Sequence, residues 1–231
     1  MHLYIIAQHL SISGPEEDRL YKLGREYASR AHEVTLLTGS KDLGMELGKR
    51  NIGLGKVDGQ TLIALNVPYE PKMNRWQKIL SYRRFARLAA EQGMMLPKPD
   101  LIIALAPPLT VAVPAIKFSE QYKVPVIVEF RELWPDALVE QGVLKNSYLI
   151  RKIRKLEKRV FDKTDYIVTS AEEIAGTIKE RTDGKGKVAV IPENLDDKEM
   201  FRIYGEIIKD LTGRYISTSG RLQVSSAVKR K

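Results

Sequence analysis

Cysteine is absent from this sequence of 231 residues, and histidine is scarce. Without cysteine the chain can form neither disulfide bonds nor thiolate metal sites. The three histidines, His2, His9 and His32, are too scattered to suggest a zinc site. A chain of this length can bury a hydrophobic core without disulfides. We therefore predict a globular protein that holds no metal.

Long apolar segments are also missing. Residues 3–7 form an apolar run that is too short for the hydrophobic region of a signal peptide. The longest apolar stretch, residues 101–116, is shorter than a membrane span and contains Pro107, Pro108 and Pro114. We expect a cytoplasmic protein, either free or attached peripherally to the inner face of the membrane.

Acidic residues are outnumbered, since 29 Asp and Glu face 38 Lys and Arg, for a formal net charge of +9. Such an excess is typical of proteins that bind nucleic acid, acidic membranes or phosphorylated substrates. A specific nucleic-acid binder would also show a recognised motif, or aromatic residues interleaved with basic ones. The sequence shows neither, so we predict an anionic partner other than nucleic acid.

Glycine motifs that bind nucleotide phosphates are absent as well. Residues 53–56, Gly-Leu-Gly-Lys, lack the earlier glycine and the following hydroxyl residue of a P-loop. Residues 8–15, which follow the first apolar run, offer only Gly14, so the dinucleotide-binding pattern is missing too. The sequence therefore predicts no resident nucleotide cofactor.

What the sequence does contain is a regular alternation of short apolar runs with longer helical patterns. The runs are continuously apolar, which is typical of strands that are covered on both faces of a sheet. Strands are predicted at residues 3–7, 34–38, 61–65, 101–104, 124–128, 166–169 and 188–191. Helices are predicted at residues 16–30, 74–92, 109–121, 148–161, 171–181 and 198–211. This order predicts an α/β fold with a doubly wound, mostly parallel, Rossmann-like sheet.

Three segments interrupt this alternation. Residues 39–59, which are rich in glycine and lysine, are predicted to form a surface loop. Residues 215–222 have the pattern of a further strand and turn, but no helical pattern follows them. Residues 223–231 form a basic tail that is expected to fray.

The run at residues 126–135 is the most informative part of the chain. It begins as a buried strand and continues with Glu129, Arg131, Glu132 and Trp134. In an open parallel sheet, ligands bind in the crevice beyond the carboxyl ends of the strands. Two carboxylates, a guanidinium and an indole at this place indicate a site for a polar, ring-shaped ligand. The alternative is a salt-bridged turn with Trp134 packed into the core.

A second feature is the basic helix predicted at residues 72–91. Its apolar face comprises Trp76, Ile79, Leu80, Phe85 and Leu88. Six cations precede its first acidic residue, and the helix at residues 148–161 carries a second basic stripe. A helix of this kind either lies in a membrane interface or packs on the core with a solvated basic face. The predicted membrane or anion surface comprises Arg75, Lys78, Arg83, Arg84 and Arg87.

Several segments together resemble one protein family. Residues 100–110 end in a double proline before a helix, and residues 130–135 read Phe-Arg-Glu-Leu-Trp-Pro. Further matching segments occur in the expected order at residues 32–35, 142–146, 156–157, 164–168 and 190–201. In content and order they resemble the retaining family 4 glycosyltransferases of GT-B architecture, of the type that builds polysaccharides and lipid-linked oligosaccharides.

The chain departs from this family at several positions. Glu132 stands where the family usually has Asp, Ala31 replaces a glycine, and Glu193-Asn194 replaces Asn-Gly. The resemblance implies that residues 1–200 form the N-terminal, Rossmann-like lobe and that residues 201–213 form a linker helix. Residues 214–231 would be the truncated start of the donor-binding lobe or a disordered basic tail, so that the second lobe of the GT-B fold is missing.

The resemblance also implies a division of labour. This lobe would bind the acceptor, a glycan or a lipid-linked sugar, and a second lobe would bind a nucleotide-diphosphate sugar as donor substrate, with no cofactor. Catalytic residues lining the cleft would be Glu132, Arg131 and Glu129. Substrate-binding residues would be Gly14, His9 and Trp134. The basic helix would face anionic lipid headgroups or the diphosphate of the lipid-linked acceptor.

Three functions are compatible with these features. The chain is the acceptor-binding half of a glycosyltransferase, completed by a separate donor-lobe polypeptide. Alternatively, it is a non-catalytic module that binds an acceptor or a membrane surface. The third possibility is an inactive, truncated remnant of a full-length enzyme.

Overall fold

A computed structural model describes residues 1–14, 17–70 and 72–213 of the chain. Its strands are β1 (His2–Ala7), β2 (Glu33–Gly39), β3 (Ile52–Val57), β4 (Gln60–Leu65), β5 (Leu101–Ala106), β6 (Val126–Phe130), β7 (Tyr166–Thr169) and β8 (Val188–Val190). Its α-helices are α1 (Arg19–Ser29), α2 (Arg75–Gly93), α3 (Ala112–Tyr122), α4 (Asp136–Glu140), α5 (Ser147–Lys163), α6 (Glu172–Arg181) and α7 (Asp197–Thr212). A 3₁₀ turn, Leu109–Val111, leads into α3.

The strands form one eight-stranded sheet in the order β3-β4-β2-β1-β5-β6-β7-β8. All neighbouring strands pair in parallel except β3 and β4. The central strands β5 and β6 are buried along their whole length, as continuous apolar runs require when helices cover both faces. The predicted doubly wound, mostly parallel α/β fold is confirmed.

The prediction of a surface loop at residues 39–59 was wrong for residues 52–57, whereas no helix or strand lies between Gly39 and Ile52. Residues 52–57 form β3, which pairs antiparallel with β4 and makes an edge of the sheet. Asp58 and Gly59 connect the two strands with φ values of 47° and 79°, as a tight hairpin turn requires. The sequence of β3 does not have a typical strand pattern, because its glycines and its lysine leave no regular alternation of apolar and polar residues. The Asp-Gly pair was the signal that could have revealed it.

Helices cover both faces of the sheet. Buried side chains of α2, α3, α5 and α6 pack on one face, in a cluster that includes Phe85, Phe118 and Phe161. Buried side chains of α1 and α7 pack on the other face, in a cluster that includes Tyr27 and Tyr204. The predicted domain boundary after residue 200 falls inside α7. The predicted strand at residues 215–222 and the basic tail lie outside the described residues.

The parallel sheet brings several loops to one edge. The segments that follow β1, β2, β4, β5, β6 and β8 all leave the sheet at the carboxyl ends of their strands. This carboxyl edge is where open α/β sheets bind ligands. None of the helices in the described residues is long and apolar enough to cross a membrane.

Candidate functional site

Glu129 is the first of the predicted site residues along β6, and its side chain is fully buried. One carboxylate oxygen accepts a hydrogen bond from Arg19 Nε at 2.9 Å, and the other accepts one from the Tyr204 hydroxyl. Burial, together with the Glu129 carboxylate, raises the pKa of Tyr204 well above its usual value. The structure therefore places Glu129 inside the core as the centre of an ionic cluster, and away from the cleft wall predicted for it.

Arg131 lies at the end of β6 and joins the same cluster. Its Nη2 atom donates to Asp18 Oδ2 at 2.7 Å, and its Nε atom lies 3.6 Å from Glu129. Asp18 is also the N-cap of α1, because its side chain accepts from the Leu20 amide. Arg19 Nη1 donates to the carbonyl oxygen of Ile191 at 2.5 Å. The ionic cluster thus connects α1, β6 and the segment after β8.

A cavity of about 400 Å³ lies beside this cluster, at the N-terminal ends of α1 and α7. Its walls include the cations Arg19, Lys22 and Arg131 and the polar side chains Glu193 and Asn194. Within the part of the chain that the structure describes, the buried Nη2 atom of Arg19 has no hydrogen-bond partner. With Glu193, the carboxylates of Glu17, Asp18 and Asp197 bring the acidic groups of the lining to four, against three cations. The cavity can receive a ligand with both anionic and hydroxyl groups.

Glu132 and Trp134 lie on the other side of the carboxyl edge. Both side chains are half-buried, and Trp134 Nε1 donates to Glu132 Oε1 at 2.9 Å. The ring centroids of Trp134 and Tyr82 are 5.4 Å apart. Those of Tyr82 and Tyr69 are 6.2 Å apart, and those of Tyr69 and His9 are 4.2 Å apart. We call these four rings, His9, Tyr69, Tyr82 and Trp134, the aromatic row.

The polar ends of the aromatic row are held by charged neighbours. His9 Nδ1 lies 2.8 Å from Asp42 Oδ2, while His9 Nε2 is buried and has no hydrogen-bond partner in the described part of the chain. Lys78 Nζ lies 5.9 Å from the centroid of the Tyr69 ring. Burial, with help from Tyr69, raises the pKa of Tyr82 above its usual value, so its ring stays neutral.

Sequence reasoning missed Tyr69, Tyr82 and Asp42. Tyr69 follows β4, Asp42 follows β2, and Tyr82 lies in α2, so the three are distant in sequence from residues 126–135. The position of Tyr69 and Asp42 just after parallel strands was the available signal. The sequence around Tyr82 gave no such signal. Tyr82 meets Trp134 only because of the way in which α2 packs against the rest of the molecule.

Gly14 belongs neither to the cavity lining nor to the aromatic row. It adopts a φ of 85°, in the left-handed region that favours glycine, and a Cβ atom there would meet nothing within 4 Å. The requirement for glycine at this position is therefore one of backbone conformation. Gly14 is exposed in the loop between β1 and α1, at the carboxyl edge.

The structure divides the predicted basic surface of α2. Arg84 is half-buried and donates to the Asn66 carbonyl oxygen at 2.7 Å, and Lys78 lies over Tyr69. Arg87 lies 3.8 Å from Glu91. The remaining two, Arg75 and Arg83, are exposed. Only part of the predicted set is thus open to a partner.

Comparison with known proteins agrees with this architecture. Residues 16–193 match the sequence profile described as "Glycosyl transferase 4-like domain". No curated protein sequence matches the chain with significance. Among solved structures, a sucrose-phosphate synthase chain from Thermosynechococcus elongatus superimposes with a TM-score of 0.62 at 11% identity, covering 91% of this chain and 99% of that chain.

Longer structures align over part of their length. A second chain of the Thermosynechococcus elongatus sucrose-phosphate synthase gives a TM-score of 0.57 at 12% identity, covering 83% of this chain and 47% of its own. UGT89C1 of Arabidopsis thaliana, solved with UDP, gives a TM-score of 0.50 at 11% identity, covering 84% of this chain and 50% of its own. The chain thus spans about half the length of these two structures, and its fold is that of a Rossmann-like GT-B lobe. Since the family profile covers most of the sequence, the chain belongs to the glycosyl transferase 4-like domain family.

Proposed function

We propose that this chain is the acceptor-binding lobe of a glycosyltransferase that moves a sugar from a nucleotide-diphosphate sugar to a glycan or lipid-linked acceptor. The observation that carries the proposal is the aromatic row at the carboxyl edge of the sheet. Flat aromatic rings pack on the C–H faces of sugar rings, while a few polar groups fix the orientation of the ligand. Glu132 and His9 supply such groups at the two ends of the row.

Each predicted site residue has a place in this proposal. Trp134 stacks on the acceptor, and Glu132 accepts hydrogen bonds from its hydroxyl groups. His9 contacts the acceptor at the far end of the row. Glu129 does not touch substrate in this arrangement; it is a positioning residue that holds Arg131 and Arg19.

The donor would lie across the neighbouring cavity. Its diphosphate would bind the cations that line this cavity, Arg19, Lys22 and Arg131, because charged nitrogen groups form strong hydrogen bonds with phosphate oxygens. Gly14 allows the backbone to approach a phosphate closely. The UDP bound to UGT89C1 supports a nucleotide donor in this class of fold. Resemblance at residues 100–110 and 130–135 supports retention of anomeric configuration and an acceptor of the polysaccharide or lipid-linked type.

A second candidate function is a non-catalytic module that binds the acceptor. It is favoured by the ion pairs that already engage two cations of the neighbouring cavity, Lys22 with Asp197 and Arg131 with Asp18. In either case the aromatic row binds the sugar. The two functions differ in whether a donor lobe, on the same or a separate polypeptide, completes the cleft.

Tryptophan fluorescence can test acceptor binding, because the chain has only two tryptophans. In a Trp76→Phe background, Trp134 is the single reporter and lies within the proposed site. We expect its emission to change on titration with short oligosaccharides or with N-acetylglucosamine linked to farnesyl diphosphate. Tyr82→Ala in this background removes one stacking surface and should weaken binding about tenfold.

Tyr148→Ala is the matched control, since Tyr148 is an exposed tyrosine outside the aromatic row. It should leave the titration unchanged. A full panel of glycan and lipid-linked probes that leaves Trp134 emission constant would contradict the assignment of an acceptor lobe. Equal affinity of the Tyr82→Ala and Tyr148→Ala variants would contradict the role of the row.

Calorimetry distinguishes the catalytic function from the binding module. If this chain alone forms the donor site, UDP- or GDP-sugars should release measurable heat that Arg19→Ala abolishes. Heat with the acceptor probes but none with either class of donor would assign the chain to the binding module or to a subunit that needs a separate donor lobe.

A further inference from the structure

The first half of α2 carries apolar side chains that are more than half exposed. Trp76 is 56% exposed and Leu80 is 63% exposed, whereas Phe85 and Leu88 are buried. The apolar face predicted for this helix is therefore split. Its later turns contribute to the core, whereas its first turns keep much of their apolar surface exposed. An apolar helix face normally packs against another surface, and within the described residues this part of the face is left largely uncovered.

Neighbouring helices extend the same exposed surface. Tyr148, in the first turn of α5, is 57% exposed. Val113, in the first turn of α3, and Val143, between α4 and α5, are also exposed. Helix α3 packs against both α2 and α5, and all three run from the carboxyl edge of the sheet. Their exposed first turns therefore lie side by side along one edge.

The cations around these side chains are largely free of acidic partners. Among the described residues, Arg83, Arg151, Lys155 and Arg159 form no ion pair with a carboxylate, and all four are exposed. Two further cations lie over exposed rings, Arg75 at 5.7 Å from Trp76 and Lys152 at 4.7 Å from Tyr148. Apolar and aromatic groups here are set among positive charges with few compensating carboxylates.

We propose that this docking edge, comprising Trp76, Leu80, Val113, Tyr148 and the cations Arg75, Arg83, Arg151, Lys152 and Lys155, binds the surface of an anionic lipid bilayer. Trp and Tyr rings favour the headgroup level of a membrane, where one part of the ring is apolar and the other wet. Each Lys or Arg near an anionic surface contributes attraction to lipid phosphates. The combination is that of a protein that lies on a membrane.

The positive charge of the docking edge favours a lipid bilayer over a protein as its partner. The centre of a protein interface is depleted of charged residues, lysine included. The docking edge instead has cations at both ends, on α2 and on α5. This inference goes beyond the proposed function and does not depend on it, since lipid binding is measured without sugar or donor.

Vesicle sedimentation tests the docking edge directly. The whole chain should pellet with vesicles of phosphatidylcholine and phosphatidylglycerol at a ratio of about seven to three at low salt, and stay in the supernatant with pure phosphatidylcholine. High salt should release it. In a Trp134→Phe variant, Trp76 is the only tryptophan, and its emission should shift to the blue when the anionic vesicles are added.

Two double variants distinguish binding through the docking edge from attraction by the net positive charge of the whole chain. Trp76→Ala combined with Tyr148→Ala, and Arg83→Glu combined with Arg151→Glu, should each weaken vesicle binding about tenfold or more. The matched controls are Leu54→Ala and Lys56→Glu, because both residues are exposed on the edge strand β3. They should leave binding unchanged.

The docking edge is overturned if anionic vesicles fail to pellet the wild-type chain, or if neutral vesicles pellet it equally. It is also overturned if the control and test variants lose binding to the same extent. Circular dichroism of each variant verifies that its fold is retained. These outcomes do not bear on acceptor binding, which the Trp134 titration measures independently.

Discussion

Glu129 and Glu132 lie three residues apart in one strand-and-turn segment, yet their side chains have different surroundings. Glu129 points from β6 into the cluster formed by α1 and α7, where Arg19 and Tyr204 bind both of its oxygens. Glu132 follows the strand and accepts a hydrogen bond from Trp134 in a half-buried position. The first carboxylate is placed to hold the structure, whereas the second keeps part of its surface accessible to solvent.

Substitution of each glutamate should separate these roles. Glu129→Ala leaves Arg19 buried without its carboxylate, so we expect the free energy of unfolding to fall by about 3–5 kcal/mol. Glu132→Gln keeps a hydrogen-bond acceptor at a half-buried site and should change it by less than about 1 kcal/mol. Urea titrations followed by circular dichroism measure both values. Equal stability of the two variants would contradict the structural role of Glu129.

At the scale of elements, an ionic network holds α4 against α5 and α6. Asp136, in the first turn of α4, pairs with Arg154 and Arg181. Glu157 of α5 accepts from Arg181 at 2.9 Å and from Arg154 at 3.2 Å. Burial acts to raise the pKa of Asp136, but hydrogen bonds from the two arginines outweigh it and hold this pKa below its usual value. Because α4 begins two residues after Trp134, the network also stabilises the position of the indole.

The packing of α2 on α3 depends on one glycine. A Cβ atom on Gly93 would lie 2.2 Å from the ring of Phe118, which is fully buried. Gly176, in α6, is the contrasting case, because a Cβ atom there would meet nothing within 4 Å. Both glycines lie within helices, where alanine is normally the better residue.

Alanine substitutions at these two glycines should have opposite effects. Gly93→Ala should lower the free energy of unfolding by about 1–3 kcal/mol, because the clash with Phe118 exceeds the gain in helix propensity. Gly176→Ala should raise it by about 0.5–1 kcal/mol. Thermal and urea unfolding measure both changes. Stabilisation by Gly93→Ala would show that α2 and α3 are packed less tightly than described.

At the scale of the whole molecule, α7 completes the second face of the sheet. Met200, Tyr204, Ile207 and Ile208 are buried in the same cluster as α1. Tyr204 also reaches Glu129 in the central strand β6. The helix that sequence analysis assigned to a linker from residue 201 onward thus shares its core contacts with the strands.

Truncation of one side chain in α7 can test whether this helix unfolds together with the sheet. Ile208 is fully buried, so Ile208→Ala should lower the free energy of unfolding by about 2–5 kcal/mol. The unfolding transition of the whole chain should shift while remaining single, because the helix and the sheet share one core. Lys198→Ala, at an exposed position of the same helix, is the control and should have little effect. An early separate transition for the helix would instead identify α7 as an independent linker.

The sequence alone determined the fold class. Continuous apolar runs alternating with helical patterns can be satisfied only by buried parallel strands with helices on both faces, and seven of the eight strands were predicted. The pattern failed at residues 52–57, where the edge strand buries little and therefore needs no apolar alternation. The same alternation of strands and helices placed Trp134, Glu132 and His9 near the ends of strands, since parallel strands bring their carboxyl ends to one edge of the sheet.

Only the tertiary structure decided which side chains meet. The side chain of Glu129 turns to Arg19 and Tyr204, which lie 110 and 75 residues away along the chain. The aromatic row is built from four separate segments, and Trp76 and Leu80 stay exposed although Phe85 and Leu88 of the same helix are buried. The spacing of apolar residues along the chain indicates whether a segment is a strand or a helix. The contacts named above depend instead on how helices and strands pack together, and that packing is determined by side chains that are distant in sequence.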